Sequence, residues 1–435
     1  MPDTEMVKVA DYCSVIKGKI GIKKALKGKY PLVTTAEDRL SHNEYHFDRP
    51  SVIIPLVSST GHGHASLKRI HYQEGKFAVG SILCAVTPKD ENILNAQFLY
   101  HYLDVYKEKL LVSRMRGMAN VTLSVTEIED VVFPLLSTDK QKEWVSLFEN
   151  ASSYTNSLTL EIDYQQSLLK KLRQSILQDG ISGKLTEKWR RENPDVEPAT
   201  ELLARIKTEK ERLVKEKKIK KEKSLPHIAK EEIPFELPEG WIWCRLRQLP
   251  IAVEYGTSSK TSNMGNVCVF AMGHIQDGKL NHGNFKYITD SNKDLPRLYL
   301  KHNDLLFNRT NSWELVGKTA VYKGADNEYS FASYLIRLQF VYCNADFYNY
   351  VLNSQYFRES QIEPQLIKQC GQANFNGTKL QNSIVPLPPH KEFDVIVSKV
   401  EKLFSHCDQL EQQISKSQQG SELLMQAVLK EAFES

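Results

Sequence analysis

The chain has 435 residues, yet no apolar run approaches the ~18 needed to span a bilayer. The longest candidates, such as the stretch from Val52 to Val57, are strand-sized and contain Pro55. The opening Met1-Pro2-Asp3-Thr4-Glu5 is acidic with no apolar core behind it, which argues against a secretory leader. Cysteine is sparse: Cys13, Cys84, Cys244, Cys268, Cys343, Cys370 and Cys407 are scattered, odd in number and without a CxxC pair. That excludes a disulfide framework and a cysteine zinc site, and reads as reduced thiols in a cytoplasmic protein. Charge of one sign is also lacking. The 57 Lys and Arg against 53 Asp and Glu leave +4, which rules out a polycation but not a binder whose charge is local.

Catalytic signatures are missing too. No [DN]-P-P-[YF] tetrapeptide supplies an amino-methyltransferase site, and no GxGxxG follows a strand. Gly317-Lys318-Thr319 resembles the end of a phosphate loop, but the glycine required five residues earlier is Ser312. His62-Gly63-His64 has no nearby cysteine or carboxylate to complete a coordination set, so no metal site is expected. Glu216-Lys217-Lys218 resembles a nuclease fragment only because the segment is lysine-rich. No catalytic residue and no cofactor of the chain's own is expected.

What is present is an internal repeat. Gly117-Met118-Ala119-Asn120 is echoed by Gly371-Gln372-Ala373-Asn374, and fourteen residues after each Asn stands a proline, Pro134 and Pro388. A long helical pattern follows each proline-closed strand. The first carries a seam at Trp144, Phe148, Ala151, Thr155, Leu158, Ile162, Gln165, Leu169, Leu172 and Ile176. Adding 252 gives Ile396, Val400, Leu403, Cys407, Leu410, Ile414, Ser417, Ser421, Leu424 and Val428. The spacing predicts two helices, each with an apolar seam about 60 Å long at 1.5 Å per residue, whose simplest partner is the other. Paired antiparallel, they carry a pseudo-twofold relation between the duplicated halves.

Before each helix lies a block with short β-branched runs and Gly, Asn and Pro punctuation. Strands are expected at 51–55, 81–86, 267–271, 304–307, 319–322 and 334–340, and short helices at 95–111 and 346–360. The resulting fold class is α+β with two globular units. Between them the glycines at 180 and 183 stop the first long helix, and a highly charged helix runs from about Ala199 to Lys223. Its charges suit a solvated face, with a phosphate-contacting face as the alternative.

The polar signals in both blocks suit nucleic acid. Lys17, Lys19, Lys23, Lys24, Lys27 and Lys29 share one glycine-interleaved segment able to track phosphates, and Arg114, Arg116 and Asn120 surround the first repeat motif. In the second block Asn308, Arg309, Thr310 and Asn311 follow a strand, Lys318 follows a glycine, and Gln372, Asn374, Asn376, Thr378 and Lys379 form a polar loop. Arg suits guanine O6 and N7, and Asn suits adenine N6 and N7.

The chain resembles the specificity subunit of Type I restriction-modification systems. The carrying motifs are Leu237-Pro238-Glu239-Gly240-Trp241, Asp304-Leu305-Leu306-Phe307-Asn308-Arg309-Thr310 followed by Leu315-Val316-Gly317-Lys318, and Gln174-Ser175-Ile176-Leu177-Gln178-Asp179-Gly180-Ile181-Ser182-Gly183-Lys184-Leu185. Trp189-Arg190 before a charged helix also fits. The first block departs in lacking the Leu-Pro-x-Gly-Trp opening, and its expected counterpart of the Asn-Arg-Thr stretch, residues 80–85, has no arginine. The resemblance implies a target-recognition domain at 1–137, a central helix at 138–185, a charged linker at 186–234, a second target-recognition domain at 235–389 and a C-terminal helix at 390–435. It implies a non-catalytic subunit that binds double-stranded DNA, each domain reading one half of a bipartite asymmetric site. The helices would set the spacing and dock two methyltransferase subunits, with motor-nuclease subunits joining for restriction. S-adenosylmethionine, ATP and magnesium would belong to those partners, and no membrane is involved. The competing reading is a coiled-coil scaffold whose globular units bind protein or RNA.

Overall fold

The structure is a computed structural model describing residues 5–60, 64–118, 120–221, 227–369 and 372–434. The chain divides into two compact units, Met1–Tyr164 with Ile414–Ser435, and Gln165–Gln413.

In the first unit β1 (Glu5–Lys8) turns through α1 (Val9–Tyr12) into β2 (Cys13–Lys17). β3 (Tyr30–Val33), β4 (Leu40–His42), β5 (Ser51–Pro55), β6 (His71–Gln73), β7 (Ala78–Val79) and β8 (Leu83–Pro88) follow. They build a sheet of order β2-β8-β5-β6 and a smaller one of order β4-β3-β7. All of β5 and β8 is buried, as expected of runs rich in Val, Ile and Leu without alternation. The expected 95–111 helix is two helices, α2 (Ala96–Val105) and α3 (Lys107–Leu110), broken at Tyr106. After α4 (Val125–Glu129), β9 (Val132–Leu135) returns to pair antiparallel with β1, so Pro134 sits opposite Met6. α5 (Thr138–Ile181) then begins.

The second unit repeats this plan. After α6 (Glu187–Glu192) and α7 (Ala199–Lys215), β10 (Ile242–Arg245) opens the lobe. β11 (Ala252–Tyr255) and β12 (Val267–Phe270) come next, then a small hairpin of β13 (Ile275–Gln276) and β14 (Lys279–Leu280). The sheets are completed by β15 (Lys286–Ile288), β16 (Leu305–Asn308), β17 (Thr310–Asn311), β18 (Thr319–Val321), β19 (Tyr329–Phe331) and β20 (Leu335–Gln339). Their orders, β11-β20-β16-β18 and β15-β12-β19, reproduce those of the first lobe, and β12 pairs parallel with β19 as β3 does with β7. α8 (Ala345–Asn353) stops at Ser354 rather than running to Ser360, and the chain continues through α9 (Gln355–Phe357). A three-stranded addition joins β17 to β22 (Gln372–Asn374) and β21 (Ile367–Gln369). α10 (Gly377–Asn382) and β23 (Ile384–Leu387) close the lobe against β10, and α11 (Glu392–Glu434) follows. Even the caps repeat. Asn95 and Asn344 each accept two backbone N–H bonds at the start of α2 and α8, and Ser124 and Asn376 cap α4 and α10.

The strand registers correct the alignment of the halves. Pro134 and Pro386 both stand in the closing strand pair, which puts Thr122, not Asn120, at the place of Asn374. The Gly-x-Ala-Asn echo is thus two residues out of structural register, and Ala119 and Gly371 lie outside the described residues.

Within the second unit α5 and α11 run antiparallel. Arg173 reaches Asp408 and Glu411, while Gly180 lies against Val400 and Ile396. Burial follows one row of sevens: Phe148, Ile162, Leu169 and Ile176 on α5, and Val400, Cys407 and Ile414 on α11. Leu158 and Leu403 are half-buried. Three apolar seam residues are instead exposed, Leu172 at 44%, Leu410 at 45% and Leu424 at 45%. The side chain of Val428 lies outside the described residues. A row kept at seven residues covers a narrow strip of a helix with 3.6 residues per turn, so the flanking row faces outward. At Leu172 the inward place is taken by Arg173, whose guanidinium also lies 5.5 Å from the Phe404 ring.

Several motifs behind the family resemblance meet at the start of α11. The buried Glu392 carboxylate accepts from Arg190 Nη1 at 2.6 Å and from Trp241 Nε1 at 2.8 Å. Gly183, at φ +76°, sits where a Cβ would lie 2.7 Å from Pro238. These residues build a junction; the glycine is needed for both its backbone conformation and its close neighbour.

Candidate nucleic-acid interface

In the second lobe β16 carries the chain outward from a buried strand. Asn308, at 1% exposure, and Thr310 are buried, which takes both out of the accessible set expected from the sequence. Arg309 emerges between them because side chains alternate along an extended strand. Its Nε donates to the Ser333 carbonyl at 2.9 Å and its guanidinium lies 5.1 Å from the Tyr255 ring centroid. Tyr255 is itself pinned, its hydroxyl accepting from Gly377 N at 2.8 Å. A Cβ at Gly377 would lie 2.7 Å from that hydroxyl, so the glycine makes room for the contact. The result is an arginine oriented by stacking and one hydrogen bond, with no protein partner at its terminal nitrogens among the described residues.

The neighbouring candidates divide. Asn374 is exposed, on the strand that pairs with β17. Asn311 Oδ1 accepts from Ser312 N, and Asn376 is committed to capping α10. The Lys379 ammonium donates to the Gln365 carbonyl. The Gln372 side chain lies outside the described residues. Gly317, at φ +93° and donating to the Asn308 carbonyl at 2.7 Å, turns the chain back into β18. Lys318 therefore sits half-buried on a strand-joining turn rather than in a phosphate loop.

In the first lobe Lys17, Lys19 and Lys23 are exposed, with no carboxylate partner among the described residues; the Lys24 side chain lies outside the described residues. Lys29 stands 5.1 Å over Tyr30, Tyr30 lies 5.0 Å from Tyr45, and Lys76 stands 4.7 Å over Tyr45. This pairs cations with aromatic faces at the surface. Arg114 is tied to Glu127 at 3.4 Å, and Arg116 folds back onto the carbonyls of Ser113 and Met115. Asn120 is exposed. Of the His62-Gly63-His64 segment only His64 is described, and no group of three His, Cys, Asp or Glu able to hold a metal occurs among the described residues.

Topology also identifies what the sequence left unpaired. Gly18 and Gly256 leave β2 and β11 at the same place, bonding to the carbonyls of Leu83 and Leu335. A Cβ would lie 2.3 Å from a carbonyl oxygen in both. The lysine loop 18–29 is therefore the counterpart of the Ser-, Thr- and Asn-rich loop 256–266, which sequence reading had not singled out. Likewise the counterpart of Arg309 is Leu56, not a residue of 80–85. Leu56 N bonds to Ile82 and its carbonyl accepts from Leu123, just as Arg309 N bonds to Tyr334 and its carbonyl accepts from Phe375.

The strongly shifted groups serve the scaffold. Burial pushes the Cys13 and Cys84 thiols up to about 12, so neither is a nucleophile at neutral pH. Burial, with Arg39 and Arg69 nearby, lowers His71 to about 4. Burial raises Asp304 against the opposing pull of Arg337. No helix among the described residues is long and apolar enough to cross a membrane.

A model of the Type I restriction modification DNA specificity domain matches residues 1–164 and 255–417, and the chain belongs to that family. Among its relatives is the Type I restriction enzyme EcoAI specificity subunit of Escherichia coli, 30% identical over 68% of this chain and 49% of that protein. The chain thus spans about half the length of that relative. The EcoDI specificity subunit of Escherichia coli is 21% identical over 99% of this chain and 88% of its own length. The HsdS subunit from Thermoanaerobacter tengcongensis has the same fold, with a TM-score of 0.53 at 17% identity over 100% of this chain and 97% of that one. A chain from a study of complex assembly and conformational transition of the type I R-M system aligns with a TM-score of 0.65 at 15% identity, covering 100% and 98%.

Proposed function

We propose that the chain is the DNA-reading, non-catalytic subunit of a cytoplasmic Type I restriction-modification complex. Each lobe reads one half of a bipartite asymmetric site, and the length of the two long helices sets the gap between halves. Two methyltransferase subunits and the motor-nuclease subunits are the protein partners; S-adenosylmethionine, ATP and magnesium belong to them. The observation that carries this reading is one topology built twice with unlike side chains at equivalent places, a buried Leu56 against the outward Arg309 and a lysine loop against a Ser/Asn loop. Two copies of one scaffold with different surfaces suit two different half-sites. In the first lobe Lys17, Lys19, Lys23 and Lys24 supply phosphate contacts, and in the second Arg309 and Asn374 are the base-reading side chains.

The test is duplex binding by the full chain with its methyltransferase partner. Salt-dependent binding that prefers one bipartite sequence is the expected result. Binding to protein or RNA without any duplex preference contradicts it.

A further inference from the structure

The charged helix α7 carries none of the recognition residues named above. Its apolar face is settled: Ala199, Leu202, Ile206 and Leu213 are buried, and the Lys210 ammonium donates to the Arg247 carbonyl at 2.8 Å. The helix is therefore fixed on the second lobe rather than hanging as a linker. It ends earlier than the charge pattern predicts. Lys217 N bonds to Val214 O and Lys218 N to Leu213 O, which closes the helix with Lys217 at φ +57°. That left-handed position is one glycine normally takes, because a Cβ there is strained.

The charges around this end do not cancel. Arg212 is matched by Glu209 and Glu216, and Lys218 shares Glu216. Lys215, Lys217, Lys220 and Lys221 are exposed and pair with no carboxylate among the described residues. The helix dipole favours cations at its last turn, which explains Lys215, but its effect fades within that turn and does not reach Lys220 and Lys221. A lysine kept where glycine is easier, at the head of an unpaired lysine run on a docked helix, points to a polyanion.

We infer that Lys215, Lys217, Lys220 and Lys221 form a phosphate-backbone contact that holds duplex DNA without reading its sequence. The inference rests on the DNA-binding reading above and extends it to a surface outside the recognition loops. Lysine suits this task as a mobile point charge with no geometric demand on the base sequence.

The experiment is a salt titration of the full-length chain on a random-sequence duplex, read by fluorescence anisotropy. Replacing all four lysines with glutamine is expected to weaken binding at least tenfold and to lower the slope of log affinity against log salt by up to ~3.6, since each of the four phosphate contacts contributes ~0.9. A second variant, Lys217→Gly, removes one charge while relieving the backbone. It is expected to bind about twofold more weakly with an equal or higher melting temperature, an outcome a structural role for Lys217 does not give. An unchanged slope in the fourfold variant, or unchanged affinity in Lys217→Gly, overturns the inference. A wild-type chain with no salt-dependent duplex binding overturns the DNA-binding reading itself.

Discussion

Where the first lobe places Ala85 between Ile16 and Ile53, the second places Arg337 between Glu254 and Leu306. The strand partners are otherwise the same. Arg337 is buried and bonds Glu254, Asp304 at 3.2 Å and the carbonyls of Tyr299 and Arg297. Asp304 in turn accepts from Gln339 and from Lys301 N. One sheet order is therefore centred once on apolar packing and once on an ion network in which both terminal nitrogens of Arg337 are bonded. Strand order is thus set by the pattern of buried positions, while the chemistry filling them is free to differ. Such a buried network adds little net stability, because desolvation offsets its attraction.

Arg337→Ala has the largest expected effect. It leaves Asp304 and Glu254 without their cation and is expected to destabilise the second lobe by about 3–5 kcal/mol, read by hydrogen exchange lobe by lobe. Protection lost equally in the first lobe contradicts a network confined to the second. The next effect reverses the roles. His71 pairs across β5 at the place that Ala320 holds in the second lobe. Its folded value near 4 lies below the ordinary 6.5, so the unfolded chain takes up a proton first as pH falls. Stability is full above 6.5 and is lost down to about 4, amounting to about 2–3 kcal/mol in the first lobe. His71→Gln is expected to flatten that pH profile in denaturant melts, and an unchanged profile rejects the assignment.

Arg309→Ala is expected to cost about 1–3 kcal/mol of discrimination at one position of one half-site. A uniform loss across all sequences makes Arg309 a phosphate contact instead. Lys17, Lys19 and Lys23 replaced together by glutamine are expected to give that uniform loss, with a salt slope lower by up to ~0.9 for each charge removed. Loss of preference at a particular base, with the slope unchanged, reverses the division of labour between the lobes.

Much of the scaffold was legible locally. The run Ser51–Pro55 is a strand with the bounds its composition suggests, and both long helices start after their proline-closed strands. What stayed hidden depends on pairings far apart in the chain. Tyr255 gains its place only when β11 meets β20 and Gly377 folds against it. The two-residue misalignment of the Gly-x-Ala-Asn echo arose because similar letters outweighed strand register, which sequence does not display. Asn308 and Thr310 looked accessible beside Arg309 in a polar run; alternation along the strand buries them. The 3-4 spacing places Leu172 inward, because it does not say which of two apolar rows a partner covers.

Methylome sequencing of cells carrying this chain with its methyltransferase partner tests the central claim most directly. Two unlike readers on one scaffold predict a single modified motif made of two different half-sites separated by a fixed unspecified gap. A palindromic motif, a continuous one, or no motif that depends on this chain contradicts it.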